Sequence, residues 1–256
     1  MRVTTALVLR ALAVVALVTL SVPLIGWAQG RRTRVQSYEE NAPYDGRFTF
    51  VRIRYAPPDF GSFRGDVKWD HDYPRGERHF TKIIEEITAI KTRTLVSNIL
   101  TLDDPELSKY PIAYLCEAGY WQPTDGEVAA LRGYLLKGGF IIFDDFARGD
   151  WANFEAQMKK VFPELRPMRM SPDDKVFDSF YHVTSLEYTH PYYGVPSEFW
   201  GIYENNDRNA RLLAMINFNN DISEYWEWSD ESYFAVAASN EAYKLGVNYL
   251  VYALTR

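Results

Sequence analysis

The stretch from Ile112 to Phe143 constrains the fold most. It holds two short runs, IAYLC and FIIF, that are apolar at every position instead of at alternate ones. A strand with one solvated face alternates apolar and polar side chains. A strand that is apolar throughout is covered on both faces, the condition of a parallel sheet between helices. The segment joining the two runs is a well-marked helix. Thr124 and Glu127 make a T-x-x-E pair, in which each side chain satisfies an amide left over at a helix start. Val128, Leu131 and Leu135 form its apolar stripe. Lys137 suits the negative end of the helix, and Gly138-Gly139 permit a left-handed exit. After FIIF, Asp150 is placed to cap a helix in which Trp151, Phe154, Met158 and Val161 face one way, and Pro163 stops it.

The pattern extends upstream. RFTFVRIRYA, from Arg47 to Ala56, fits a strand, with Phe48, Phe50, Ile53 and Tyr55 apolar and Val51 filling the other face. Phe80, Ile83, Ile84, Ile87 and Ile90 recur at helical spacing, and TRTLV is a short strand. Strands and helices alternating through short links predict an α/β fold: a doubly wound, mostly parallel three-layer sandwich. Past Pro167 the pattern loosens into long stretches rich in aromatic residues, Asn and Asp. Only RLLAMINF reads as a buried strand there, and SNEAYKLGVNYLVYALT closes the chain as a helix.

The first 28 residues differ in kind from the rest. Arg2 and Arg10 precede or open an apolar stretch, Ala11 to Ile25, which ends in the small-x-small Gly26-Trp27-Ala28. That is the pattern of a secretory signal peptide, or of an N-terminal anchor if uncleaved. The apolar stretch is short for a membrane span, and Pro23 interrupts it. Residues 29–46 are polar and without hydrophobic period, and read as a linker. Residues 47–256 then form a single α/β domain, periplasmic or secreted, touching a membrane only through the N-terminal segment if that stays attached. Without residues 1–28 the chain keeps 26 basic and 34 acidic side chains, a net charge of −8. An acidic surface repels nucleic acid, so no nucleic-acid partner is expected. Cys116 is the only cysteine, which excludes an intramolecular disulfide.

The candidate site residues cluster at the ends of the apolar runs. FIIF ends on Asp144 and Asp145, and in an open α/β sheet ligands bind beyond the carboxyl ends of the strands. Adjacent strand residues point to opposite faces, so both acids share a cleft only if the strand has ended. Their repulsion needs a cation or donors, and Arg148 is three residues on. Glu117 follows the IAYLC run and lies near Asp145 if the two strands are neighbours, which makes the pair a candidate for acid–base work. Cys116 reads as a small buried apolar residue. WDHDYPRGERH carries Asp70, His71, Asp72 and His79 at no recognised metal spacing, and His71 is a candidate ligand contact from the loop after the first strand. His182 and His190 read as structural. In NFNNDISEYWEW, the residues Asn219, Asn220, Asp221, Tyr225, Trp226 and Trp228 set amides beside flat aromatics, a combination suited to sugar or peptide recognition. Of these, Asn220, Asp221 and Trp226 are the candidate ligand-binding residues. There is no Walker A loop, no G-x-G-x-x-G, no G-x-S-x-G elbow, no H-E-x-x-H and no paired C-x-x-C, so no cofactor and no metal centre is expected.

Taken in order, KYPIAYLCEAGYWQPTDGEVAALRGYLLKGGFIIFDDF, VFDSFYHV, GIYENNDRNARLLAMINFNNDISEYWEW and AYKLGVNYLVYAL resemble the bacterial domain-of-unknown-function family numbered 4159, over about Phe48 to Thr255. The resemblance implies a flavodoxin-like sheet, similar to class I glutamine amidotransferases and trehalose-utilisation-type domains. It also implies an association with von Willebrand A-type membrane proteins and AAA-type partners of the cell envelope. In the amidotransferases a cysteine nucleophile sits on the turn after a central strand. The corresponding turn here is FIIFDDFARGD, with Asp145 at the elbow and no cysteine. The expectation is therefore a non-catalytic exported domain that binds an envelope protein or a glycan at the carboxyl edge of its sheet. The alternatives are a carboxylate-based hydrolase, with or without metal assistance, and a structural subunit of an envelope complex.

Overall fold

The computed structural model describes residues 38–56 and 66–256. The chain divides into two compact units, residues 1–38 and 39–256, and the fold set out below is that of the second. The expected export segment, residues 1–28, and most of the expected linker lie outside the described residues. Residues 39–46, the end of that linker, hydrogen-bond to the domain: Asn41 and Ala42 exchange bonds with Ile99 and Asn98. No helix among the described residues is long and apolar enough to cross a membrane.

The domain is α/β, built on a seven-stranded, mostly parallel sheet. The strands are β1 (Val51–Ile53), β2 (Asn98–Leu100), β3 (Ile112–Cys116), β4 (Phe140–Phe146), β5 (Met168–Arg169), β6 (Glu198–Tyr203) and β7 (Leu212–Phe218). Their order is β2-β1-β3-β4-β7-β6-β5; only β6 and β5 run antiparallel to their neighbours. The helices are α1 (Arg75–Ile87), α2 (Asp125–Leu136), α3 (Asp150–Val161), α4 (Ile222–Glu227) and α5 (Val236–Thr255).

Two apolar cores, one on each face, explain the continuously apolar strands. Ala113 and Leu115 of β3 and Ile141 and Phe143 of β4 pack in one cluster with α2 and α3. Ile112, Tyr114 and Cys116, with Phe140 and Ile142, pack in the other with α1, α4 and α5. The period of two along each strand thus divides its side chains between two helical layers. The T-x-x-E pair is a complete capping box: Glu127 N–H donates to Thr124 Oγ1 at 3.2 Å, and Thr124 N–H to Glu127 Oε2 at 2.8 Å.

Four elements differ from the sequence expectation, the first being the two-residue β5, which falls past Pro167 where only RLLAMINF reads as a strand. The strand near TRTLV begins later, at Asn98, because Thr92 makes only an isolated bridge to Phe48. β6 has no apolar run to mark it, since Glu198 and Gly201 interrupt it. Gly201 is required by close approach: a Cβ there would lie 2.6 Å from Leu212 Cδ1. Helix α4 falls in a segment that reads as a loop, and Asp221 caps it by accepting the Glu224 N–H at 2.9 Å.

Helix α5 docks through Gly246. A Cβ there would meet Trp226 at 2.5 Å and Phe80 at 2.7 Å, two buried rings stacked at 4.4 Å. Alanine favours a helix over glycine by about 1 kcal/mol, yet overpacking a core costs about 1–3 kcal/mol. Gly246→Ala is therefore expected to lower the denaturation midpoint. A midpoint equal to or above that of the parent would mean the ring pair yields freely.

Candidate functional site

The crossovers decide where a cleft can open. The chain leaves β1 and β7 for the face of α1, α4 and α5, and leaves β3 and β4 for the face of α2 and α3. The connections therefore part on either side of the β3–β4 pair, at the carboxyl edge, where open α/β sheets bind ligands. Backbone strain gathers at the same place. Of the eight described non-glycine residues with positive φ, five lie on this edge: Asp72, Glu117, Asp145, Arg148 and Asn219. Each such conformation costs on the order of 1–3 kcal/mol and persists only where the surroundings enforce it.

Glu117 follows β3 directly, with φ 51° and ψ 47°. Asp145 has φ 56° and sits where the β4–β7 register shifts between Phe143 and Phe146. The bulge settles the question raised by the adjacent acids. Asp144 keeps strand parity and points into the α4 and α5 core. It accepts from the Tyr114 hydroxyl at 2.8 Å, Asn217 Nδ2 at 3.0 Å and the amides of Ile222 and Ser223 at 3.0 and 3.2 Å. Asp145 turns instead toward the end of the sheet and meets Glu117 there. The pair inferred from strand adjacency is thus brought together, and Asp144 is held apart from it in the core.

His71 joins them from the loop after β1. Its Nδ1 lies 3.2 Å from Asp145 Oδ2 and 3.3 Å from Glu117 Oε1, and its Nε2 lies 2.9 Å from Asp66 Oδ1. Lys68 Nζ stands 3.1 Å from the same Glu117 oxygen and 2.8 Å from Asp66. The Tyr193 hydroxyl donates to Asp145 Oδ1 at 2.6 Å. Asp145 and Glu117 are nearly closed to solvent, with side chains 8% and 12% exposed, while His71 is 30% exposed. His71, Glu117 and Asp145 each bring a ligand atom within 4.8 Å of the others. That is close enough to hold a divalent ion, but Lys68 and His71 already supply the positive charge.

The charges set the proton affinities. Burial would depress the His71 pKa, but the hydrogen bond and charge of Asp145, with Asp66 and Glu117, push it up to about 10. Burial pushes Glu117 up, the Asp145 charge adds to this, and His71 and Lys68 offset part of it, leaving it at about 7. For Asp144, burial and the Asp145 charge outweigh the Tyr114 hydrogen bond and raise it to about 7. Burial holds the Cys116 thiol well above its ordinary value despite the nearby Arg52 charge. The thiol is fully enclosed, with Sγ 3.1 Å from Arg52 Nη1 and 3.2 Å from the Trp69 carbonyl, the core residue its position suggests.

The other sequence candidates fall in different places. Arg148 does not pair with either acid among the described residues. Its guanidinium donates to the Tyr193 carbonyl at 2.5 Å, and His71 is the counter-ion of Asp145 instead. Asn220 is buried, and its carbonyl accepts the Asp145 N–H at 3.1 Å. Trp226 stacks on Phe80 in the core and is 1% exposed, away from the edge. Asp221 is buried beside Ser223, whose hydroxyl also bonds Asp72 and Tyr114. His79 bonds the Trp226 carbonyl at 2.8 Å, and His182 pairs with Asp178 at the surface. His190 packs among Tyr192, Tyr193, Tyr225 and Phe234, and burial pushes its pKa down to about 4 against the opposing Asp145 charge.

The site residues not named from the sequence are Asp66, Lys68, Tyr55 and Tyr193. The Tyr55 hydroxyl supports the turn by reaching the carbonyls of Cys116 and Glu117 at 3.1 and 2.9 Å. Asp66 and Lys68 flank the Asp/His cluster, and that proximity was the signal available. Tyr193 lies in the aromatic THPYYG turn, where nothing local aims it at Asp145. A surface groove of about 760 Å³ lies elsewhere, beside the amino ends of β3 and β4 between Tyr110, Tyr134 and Lys137. Its lining holds no histidine and no cysteine, so the chemistry of the carboxyl edge decides where the site is.

Fold and edge together define an α/β domain with an ion-paired His–Glu–Asp cluster at the carboxyl ends of its central parallel strands. The chain belongs to the family of the domain of unknown function DUF4159, which matches residues 49–254. No curated protein matches it.

Proposed function

We propose that the domain is an exported, carboxylate-based hydrolase with Glu117 as general base. The observation that carries this is the convergence of Glu117, Asp145 and His71 within 4.8 Å, on two strained strand ends and one loop. A carboxylate poised near neutral pH is suited to proton transfer in that range. Lys68 and His71 both bind Oε1 of Glu117, which leaves Oε2 as the oxygen to take a proton from water. The water oxygen bonds to the electrophilic carbon as Glu117 takes the proton, the bond from that carbon to the leaving oxygen or nitrogen breaks, and Glu117 returns the proton to the leaving group, with the two cations beside the charge that develops. Asp145 orients His71 and, by its own charge, keeps the Glu117 proton affinity high. The crowded carboxylates favour an uncharged or amine-bearing substrate, and two half-buried rings, Tyr193 beside Asp145 and Tyr120, whose ring centre lies 4.6 Å from Lys68 Nζ, offer flat surface for a glycan or peptide. The front of the sheet order, β2-β1-β3-β4, supports the flavodoxin-like and amidotransferase-like reading, with acids in place of the cysteine nucleophile. The basic start and apolar stretch of residues 1–28 support export to the periplasm or beyond.

The test is turnover of neutral and amine-bearing glycosides, esters and amides by purified protein. Asp145→Asn is expected to keep the fold and lose about 10²-fold or more in rate. A folded wild-type chain that turns over nothing but binds a glycan or an envelope protein would replace this reading with a non-catalytic one. Co-purification with a membrane complex would then favour the structural subunit.

A further inference from the structure

We infer that His190, Asp221 and Glu224 form a binding site for a divalent transition cation of the zinc or manganese class. His190 is 1% exposed, and neither ring nitrogen has a hydrogen-bond partner among the described residues. A buried polar group left unsatisfied carries its desolvation cost uncompensated, so an imidazole placed this way is waiting for something. One of its nitrogens and a carboxylate oxygen from each of Asp221 and Glu224 lie within 4.8 Å of one another. Ligands about 2.0–2.2 Å from a shared tetrahedral ion stand roughly 3.3–3.6 Å apart, so a closure of roughly 1 Å completes the set. Asp221 is 3% exposed, and among the described residues no lysine or arginine pairs with it or with Glu224. That separates this cluster from the one at His71, where Lys68 and a protonated ring already balance the acids. One imidazole with two carboxylates suits zinc or manganese better than calcium or magnesium, which take oxygen ligands alone.

Among the described residues, the rings packed on His190 leave both of its nitrogens free, while the Tyr192 hydroxyl bonds the Glu224 carboxylate, a contact the cation would replace. Tyr225 packs edge-on to His190 at 5.0 Å and Tyr193 lies at 5.3 Å, both as apolar contacts. Residues 190–194 form one turn, closed by the Gly194 N–H to the His190 carbonyl at 2.9 Å. Tyr193, on the same turn, holds Asp145. A cation at His190 would therefore fix the turn that positions Asp145. The metal site stands without the hydrolase reading and goes beyond it.

The test titrates chelator-treated full-length protein with Co²⁺, read by its visible absorption, with Zn²⁺ as competitor. One equivalent of Co²⁺ displaced by Zn²⁺ is expected. His190→Gln and Glu224→Gln should each weaken it by more than the about 10–100-fold that loss of an outer partner costs. His71→Gln should leave it unchanged. Absence of a Co²⁺ spectrum, binding that survives both ligand variants, or binding lost with His71→Gln alone would overturn the proposal. Should His190→Gln fail to fold, Glu224→Gln at a half-buried position carries the same decision.

Discussion

Arg52→Met is expected to destabilise the domain by about 3–5 kcal/mol, the effect of breaking a buried ion pair by removing one partner. Arg52 lies on β1 with its side chain wholly enclosed, and Nε meets Glu77 Oε1 of α1 at 2.5 Å. Nη1 reaches the Trp69 carbonyl and Cys116 Sγ, each at 3.1 Å, and the guanidinium stands 5.0 Å from the Tyr114 ring centre. One side chain thus ties β1 to α1, to β3 and to the turn that carries Lys68 and His71. Methionine matches much of the volume but leaves the Glu77 carboxyl buried without a cation. Adding Glu77→Leu should restore most of the loss, because a buried pair replaced whole by apolar groups is often neutral. Urea or guanidinium unfolding of the two variants measures both effects. A single variant within 1 kcal/mol of the parent, or a double variant no better than the single, would reject the account.

Arg52 also marks how far the sequence could be read. The period along RFTFVRIRYA finds the strand, yet it gives no reason for an arginine to be enclosed, because a charge is buried only by partners distant in the chain. Glu77 and Cys116 are those partners, and no spacing rule links them. The same limit runs through the site. Glu117 and Asp145 were legible because apolar runs end on them and parallel neighbours bring strand ends together. What the pattern lacked was the bulge after Phe143, which turns Asp145 out of the strand and leaves Asp144 in the core. Arg148, the nearest cation in sequence, was the natural counter-ion for Asp145, but the loop from β1 places His71 closer. Trp226 looked like a surface aromatic because helix α4 is only six residues long and shows no full period. Its burial comes from Phe80 and Gly246, again remote in sequence.

Glu117→Gln is expected to lower turnover by about 10²–10⁴-fold, the usual contribution of a general base, and to change the shape of the pH profile. In the parent, Glu117 carries a proton below about 7 and cannot accept one from water. The rate should therefore climb about tenfold per pH unit up to that point and then level off. It should fall again as His71 loses its proton near about 10 and its positive charge leaves the Glu117 oxygen. Glutamine cannot titrate, so the acid limb should vanish from whatever rate remains. Asp145→Asn supplies the complementary reading. The Asp145 charge raises both groups, so its removal should move both limbs to lower pH, since each proton is then held less tightly. A role for Asp145 in folding alone would reduce the amount of active protein and leave the midpoints where they were. A profile whose acid limb persists in Glu117→Gln assigns the base to another group, and unmoved midpoints in Asp145→Asn would break the coupling on which the acid–base reading stands.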